Sequence, residues 1–506
     1  FDALFPGMFI SRSILMVYGL LFSGLLLGSF QEPVVLVTTA PDLASSVAQL
    51  DRIRDAGMHV RVVTGPGVFF GTLEENASTD MLMRMGAIIR AEETSDRHGS
   101  SIAQDLALDY LAALEEGRFD PLTTRVPMDW DGHPDHQLSR SEAEHESGDR
   151  EAQTAPDWTC SNSYNSEYMA GTVYVGAFFV ESNGVVDTDQ YTWTPQAVSD
   201  VELQLLDAWS IWSWTAQQHG VTVTAVLELY GPGTSTTLQP YEPVLHPSTE
   251  DHLWIGAIMG NLGFSGSGHL AACDAFNSSK RLVLNATHSY CSFIAYNPPA
   301  QGASSAFTDG RIGYAYLGGP YLQLLYKANG WGTDQVNRVF GHETAHIFHA
   351  FDEYAGSGTS NCARAFNGTQ NANFQGAQCN GMAPCVMVGN TWTGSGATRQ
   401  WDLCAHTPAH LGWNSLLVPP TPKKPLNDTV LTTQPVMFKW QRNGAPPSAY
   451  GYLKVFDRSS GDLVQCVSRH SASKSNKTRF GHSPSEQSFR SKWLRRQRQC
   501  SSRDPW

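Results

Sequence analysis

His342 and His346 stand four residues apart in the run VFGHETAHIFHAFDEYAG (339–356), with Glu343 directly after the first histidine. Positions four apart share one face of a helix, so both imidazoles can reach one zinc ion. Glu343 then projects beside the metal, where it can take a proton from a bound water. An HExxH match of five residues also arises by chance. A buried helix face could hold the same two histidines as neutral hydrogen-bonding groups. The preceding stretch supports a helix, with Asp334 placed to start it.

Asp352 lies ten residues after His342 and offers a carboxylate oxygen as third ligand, with Glu353 and His349 as alternatives. With Asp352 in that place the segment resembles the metzincin clan of zinc peptidases, whose extended signature is HExxHxxGxxH. Snapalysin-like members of the clan carry Asp in the last position. The triplet Asp352-Glu353-Tyr354 is similar to that of IgA-peptidase-like secreted bacterial metalloendopeptidases. The resemblance covers about Thr172 to Trp413. It implies that Cys385-Val386-Met387 is a Met-turn, with Met387 beneath the metal, and that Trp401 to Trp413 forms the helix after it. One departure is His349, which stands where the clan has glycine. A turn there needs left-handed backbone, which Gly accepts freely and His only occasionally. His349 either adopts that conformation or prolongs the helix and displaces Asp352.

These residues predict a secreted zinc-dependent endopeptidase with Zn2+ as its cofactor and a protein or peptide as its substrate. Three protein ligands leave a position for water, whose pKa falls to about 7 in such sites. Glu343 would accept its proton and pass it to the leaving amine. A strand over Tyr314 to Leu317 could pair with extended substrate backbone, and Tyr354 and Tyr316 are candidates for substrate or oxyanion contacts. The main rival is a non-catalytic cell-surface binding or adhesion protein that retains a zincin fold. Glu343 argues against it, because such a protein has no need of a base beside its metal. A gluzincin-type arrangement would need a downstream helix with a ligating Glu, and none is evident between 356 and 416.

The elements that must position these groups read as an α+β protein with a zincin-like, mixed, twisted sheet. Strand candidates are Thr172 to Val180, Val221 to Tyr230, Arg281 to Asn285 and Arg311 to Leu317, with a helix over Ala197 to Gln218. Ahead of them, VVLVTT, a helix over Asp42 to Asp55, the strand HVRVVTGPGVFFG and a helix over Ile102 to Leu114 suggest a small α+β pro-domain. The divisions are 1–31 as signal peptide or anchor, 32–128 as pro-domain and 129–158 as disordered linker. They continue with 159–418 as peptidase domain, 419–466 as a partial β-sandwich-like module and 467–506 as a basic disordered tail.

Length and composition fit this plan. At 506 residues the chain exceeds one ordinary core. A formal charge of −14 excludes a general nucleic-acid binder, which needs a basic face. The apolar run Ile14 to Phe30 after Arg12 suits a secretory signal, with small residues Gly28 and Ser29 as cleavage positions; the alternative is a membrane anchor through residues 14–30. The linker has almost no large apolar residues; its His133, His136 and His145 read as solvated. Nine cysteines in an exported chain predict disulfides. Cys273–Cys291 and pairs among Cys362, Cys379, Cys385 and Cys404 are the natural ones by proximity. Cys160 at the domain junction could instead reach the metal and hold the enzyme latent. Sequons at Asn277, Asn285 and Asn367 are frequent by chance.

Overall fold

The computed structural model describes residues 32–91, 101–119 and most of 166–413, together with short strands at 137–138 and between 421 and 479. The apolar run at 14–30, the linker histidines, Cys160 and Asn367 lie outside the described residues. Among those described, no helix is long and apolar enough to cross a membrane. Residues up to 413 form one compact unit, and the strands beyond 420 form a second.

The first unit is built on one mixed sheet of eleven strands. Its elements, in chain order, are β1 (Pro33–Thr38), α1 (Leu43–Val47), α2 (Leu50–Asp55), β2 (Met58–Gly65), β3 (Val68–Leu73), α3 (Thr79–Met85), β4 (Gly86–Arg90), α4 (Ile102–Glu115) and β5 (Gln137–Leu138). Then come β6 (Gly171–Ser182), α5 (Pro195–Gln218), β7 (Val223–Tyr230), β8 (Leu238–Gln239), α6 (His252–Asn261), α7 (His269–Leu284), β9 (His288–Ala295), β10 (Gly313–Tyr316), β11 (Tyr321–Leu325) and α8 (Val336–Ile347). The sheet order is β4-β1-β3-β2-β7-β6-β9-β11-β10-β5, with β8 pairing β6. Strands β2, β7, β6, β9 and β11 run parallel to their neighbours within that block, and β10 turns antiparallel to β11.

The run TVYVGAFFV becomes β6 because both faces of the sheet are covered, the usual setting for a continuous apolar strand. Val173, Val175, Ala177 and Phe179 enter one core, with α4, α5 and α8. Tyr174, Phe178 and Val180 enter the other, with α2, α6 and α7. The long helix α5 starts at Thr194, whose side chain accepts from the Ala197 N–H, with Pro195 in the first turn.

Several expectations change. The described strands of 32–128 do not stand apart: they continue the central sheet through the β2–β7 pairing, Val62 opposite Ala225 and Val63 opposite Val226, within one compact unit. HVRVVTGPGVFFG is two strands rather than one, β2 and β3, folded back on each other. Within the expected disordered linker, Gln137 and Leu138 pair with Ala315 and Tyr316 on the outer edge of β10. Residues 281–285 are not a strand but largely the end of α7, capped by Asn285 in a left-handed conformation (φ 52°). An apolar run that short does not distinguish strand from helix. Gln335, not Asp334, takes the capping position of α8, and it makes no side-chain cap. Of Trp401 to Trp413 only Thr407–His410 is helical, while Gln400–Trp401 pairs with Trp392–Thr393.

The second unit holds two small antiparallel sheets. Strands 421–424, 437–441 and 477–479 form one, and 450–456 pairs with 463–470 in the other. The pairing runs past 466 into the stretch expected to be a disordered tail.

Under α5 a buried knot joins distant parts of the first unit. Asp207 is paired with Arg399, accepts from Tyr110 Oη at 2.8 Å and accepts from Asn337 Nδ2 at 2.8 Å. It thereby ties α4, α5, α8 and the 399 loop. Asp207→Ala should cost about 3–5 kcal/mol, the range for leaving a buried charge unpaired; chemical denaturation of the variant checks this.

Two buried histidines bear on acid stability. Burial, with Arg61 and Arg54 nearby, pushes His59 down to about 3. Burial likewise brings His410 down to about 4. The unfolded chain takes up these protons near pH 6.5, while the folded state resists them until about pH 4 or 3. The contribution of these two histidines to stability therefore falls as pH drops below about 6.5, by about 1.4 kcal/mol per unit for each group. The difference in urea-unfolding stability between wild type and His59→Gln, measured at pH 7, 6 and 5, should shift against wild type as pH falls.

Candidate metal centre

Helix α8 carries His342, Glu343 and His346, all fully buried. Gly341 precedes them in mid-helix, where a glycine normally costs stability. Here a Cβ would collide with the Trp401 ring, and Trp212 Nε1 donates to the Gly341 carbonyl at 3.1 Å. The missing side chain lets two tryptophans close over the back of the helix.

His349 decides how the helix ends. It takes the left-handed conformation, φ 70°. The His349 N–H donates to His346 O at 2.9 Å and the Ala350 N–H to Ala345 O at 3.0 Å. These two bonds make a Schellman cap with histidine in the glycine place. The reversal carries Ala350 back over the helix, where its carbonyl accepts from His346 Nδ1 at 2.7 Å. It also brings Asp352 to the histidines. The His349 ring points elsewhere, stacked on Phe366 with centroids 4.0 Å apart and close against Gly318.

The polar atoms of three side chains then meet in a triangle. His342 Nε2 is 3.0 Å from Asp352 Oδ1, His346 Nε2 is 3.2 Å from the same oxygen, and the two Nε2 atoms are 3.0 Å apart. His342 Nδ1 lies 2.9 Å from the Val386 carbonyl. A carbonyl only accepts, so both Nδ1 atoms carry protons, and in the neutral rings both Nε2 atoms present lone pairs to each other. Two facing lone pairs and a carboxylate oxygen repel unless a cation lies among them. A tetrahedral zinc with bonds of about 2.0 Å has ligand edges of about 3.3 Å, so the donor set fits that ion in both chemistry and spacing. Asp352 is further held by Ser357 Oγ, which donates to Oδ2 at 3.1 Å, and by Asn371 Nδ2, which donates to its carbonyl at 2.8 Å.

Glu343 stands beside this triangle with neither carboxylate oxygen hydrogen-bonded among the described residues. Burial, and then the Asp352 charge, push its pKa well above the ordinary value. Met387 is buried in a one-turn 3-10 helix, Val386–Val388, whose first carbonyl is the one that fixes His342. Its own carbonyl accepts the Glu353 N–H at 2.9 Å. Tyr354 is buried with its ring 6.4 Å from that of His342.

Not every candidate converges here. Tyr316 packs on the opposite face of the sheet from α8, its ring 5.0 Å from that of Tyr321, because alternate residues of β10 point to opposite cores. Glu353 turns away from the triangle towards Cys385 and Cys404. Cys362 and Cys379 are joined by a disulfide, whereas Cys273, Cys291, Cys385 and Cys404 are buried thiols. The proximity argument thus holds for one pair, and the expected Cys273–Cys291 bond is replaced by a hydrogen bond from Cys291 Sγ to Asn277 Oδ1. Sequence reasoning missed Ser357, Asn371 and the Val386 and Ala350 carbonyls, which carry no spacing signal of their own.

No protein-family model matches the chain, and no curated protein matches it in sequence.

Proposed function

We propose that this chain is a zinc-dependent endopeptidase of metzincin type, exported from the cell, with His342, His346 and Asp352 as metal ligands and Glu343 as general base. The observation that carries the reading is the triangle of two lone-pair nitrogens and one carboxylate oxygen, beside a buried carboxylate that has no hydrogen-bond partner among the described residues. Zinc bound there supplies Lewis acidity, which acidifies a water and polarises a carbonyl.

The chain's own residues supply the rest. The Val386 and Ala350 carbonyls lock both imidazoles in the ligating tautomer and orientation. Glu343 has a raised proton affinity suited to taking up a proton and giving it to a leaving amine. Gly313, at the start of β10, lies against Glu343, with a Cβ there only 3.6 Å from Oε1. The outer edge of β10 is taken at Ala315 and Tyr316 by Gln137 and Leu138, so extended substrate would have to displace that segment to pass the base along β10. The Cys362–Cys379 disulfide supports maturation in an oxidising compartment.

The test is metal content alongside cleavage of an unfolded protein such as casein. His346→Ala should lose one equivalent of zinc relative to wild type and lose cleavage with it. Unchanged zinc content in His346→Ala would overturn the assignment.

A further inference from the structure

About the Met-turn a second group of donors converges, separate from the His/His/Asp triangle. Thr407 Oγ1 lies 3.1 Å from Glu353 Oε1, 3.2 Å from Cys385 Sγ and 3.3 Å from Cys404 Sγ. Cys404 Sγ lies 2.9 Å from the same Glu353 oxygen, and the two sulfurs and that oxygen are all within 4.8 Å of one another. Four buried donor atoms therefore converge, with Thr407 Oγ1 within 3.3 Å of each of the other three. A four-coordinate zinc with Zn–S of about 2.3 Å and Zn–O of about 2.0 Å has corners about 3.3–3.8 Å apart.

We propose that Glu353, Cys385, Cys404 and Thr407 form a second, structural site for a thiophilic divalent cation of the zinc type. Its surroundings are built for ligation. Asn373 Nδ2 donates to Glu353 Oε2 at 2.6 Å and is itself fixed to Ala383, which leaves Oε1 facing the sulfurs. The backbone N–H groups of His406 and Thr407 point at Cys404 Sγ from 3.3 and 3.4 Å, as donors to a thiolate do. Binding would release the two thiol protons to solvent and place a cation against the carboxylate.

The alternative is a Cys385–Cys404 disulfide. In this structure Cys362 and Cys379 of the same region are joined, and Cys385 and Cys404 are not. A disulfide also makes no use of the carboxylate and hydroxyl that converge on the sulfurs. Structurally the ion would clamp three loops that little regular structure supports: the one carrying Asp352, the Met-turn, and the turn into Thr407–His410. It would thus hold the floor of the first site.

The site stands independently of the proposed peptidase chemistry, and cobalt distinguishes the two. Full-length protein loaded with Co2+ should show a sulfur-to-cobalt charge-transfer band in the near ultraviolet, which a His/His/Asp site cannot give. The band should persist in His346→Ala, which retains one of two metal equivalents. It should fall to background in the double variant Cys385→Ser, Cys404→Ser. Absence of the band in both wild type and His346→Ala would overturn the proposal. So would thiol titration of the unreduced, denatured protein that finds Cys385 and Cys404 already oxidised to each other. If His346→Ala keeps both equivalents and the sulfur variant loses one, the first site fails and this one stands.

Discussion

Glu343→Ala should keep its metal and lose about 10²- to 10⁴-fold in peptide hydrolysis, the usual contribution of a positioned acid–base group. Glu343 ligates nothing in the triangle, so zinc content should match wild type within one preparation. A second consequence separates a poised base from an idle residue. In the metal-free protein its carboxyl is buried, unpartnered among the described residues and raised in pKa. A raised folded value means that the folded state holds a proton which the unfolded chain releases above about pH 4.5. Relative to Glu343→Ala, metal-free wild type should therefore lose stability as pH rises above that point. If the variant cleaves as fast as wild type, Glu343 is not the base. If neither protein cleaves while both hold the metal, the binding-protein reading replaces the enzyme.

Deleting residues 32–128 should leave no cooperatively folded protein, an effect larger than any single substitution here. Strand β2 is the partner of β7 in the middle of the sheet. Thr224 Oγ1, on β7, donates to Val60 O at 2.7 Å and accepts from Arg54 Nη2 at 2.9 Å. On the helical side Tyr110 reaches Asp207, and Arg61 bonds Ser210 Oγ at 3.3 Å and the Ala397 carbonyl. Val62, Phe70, Leu106, Tyr110 and Leu111 all belong to the core that contains α8. Each such side chain contributes about 1.5–3 kcal/mol by its burial, so five already match the whole margin of about 5–15 kcal/mol. Circular dichroism melting of the deleted chain tests this. A soluble deletion product that melts cooperatively and cleaves faster than the full chain would restore the pro-domain interpretation.

Some of this molecule is legible from local pattern alone. The spacing of His342, Glu343 and His346 places them on one helix face whatever surrounds it, because the period of an α-helix is intrinsic. The strands β6 and β7 and the helix α5 follow likewise, from long apolar runs with clear starts such as Thr194-Pro195. The offset of Asp352 marks it as the leading candidate for third ligand, with Glu353 and His349 left as alternatives. That choice belongs to the tertiary structure. A histidine bearing left-handed strain closes a Schellman turn, its ring finds Phe366 rather than the two ligand-candidate histidines, and Asp352 returns to His342 while Glu353 is drawn off by Asn373, Cys404 and Thr407.

The same division explains the domain boundary. Residues 32–128 look self-contained because strand and helix signals are local, and nothing in their pattern marks β2 as a strand with one more neighbour to find. The β2–β7 pairing and the Asp207 knot join residues more than 90 positions apart, and such contacts have no periodicity for a sequence to display. What the amino-acid sequence determined by itself is the chemistry on one helix and the apolar frame that can carry it. What only the folded chain decided is which carboxylate meets the histidines, which tautomers they hold and which cysteines join, because each depends on long-range contacts that form together.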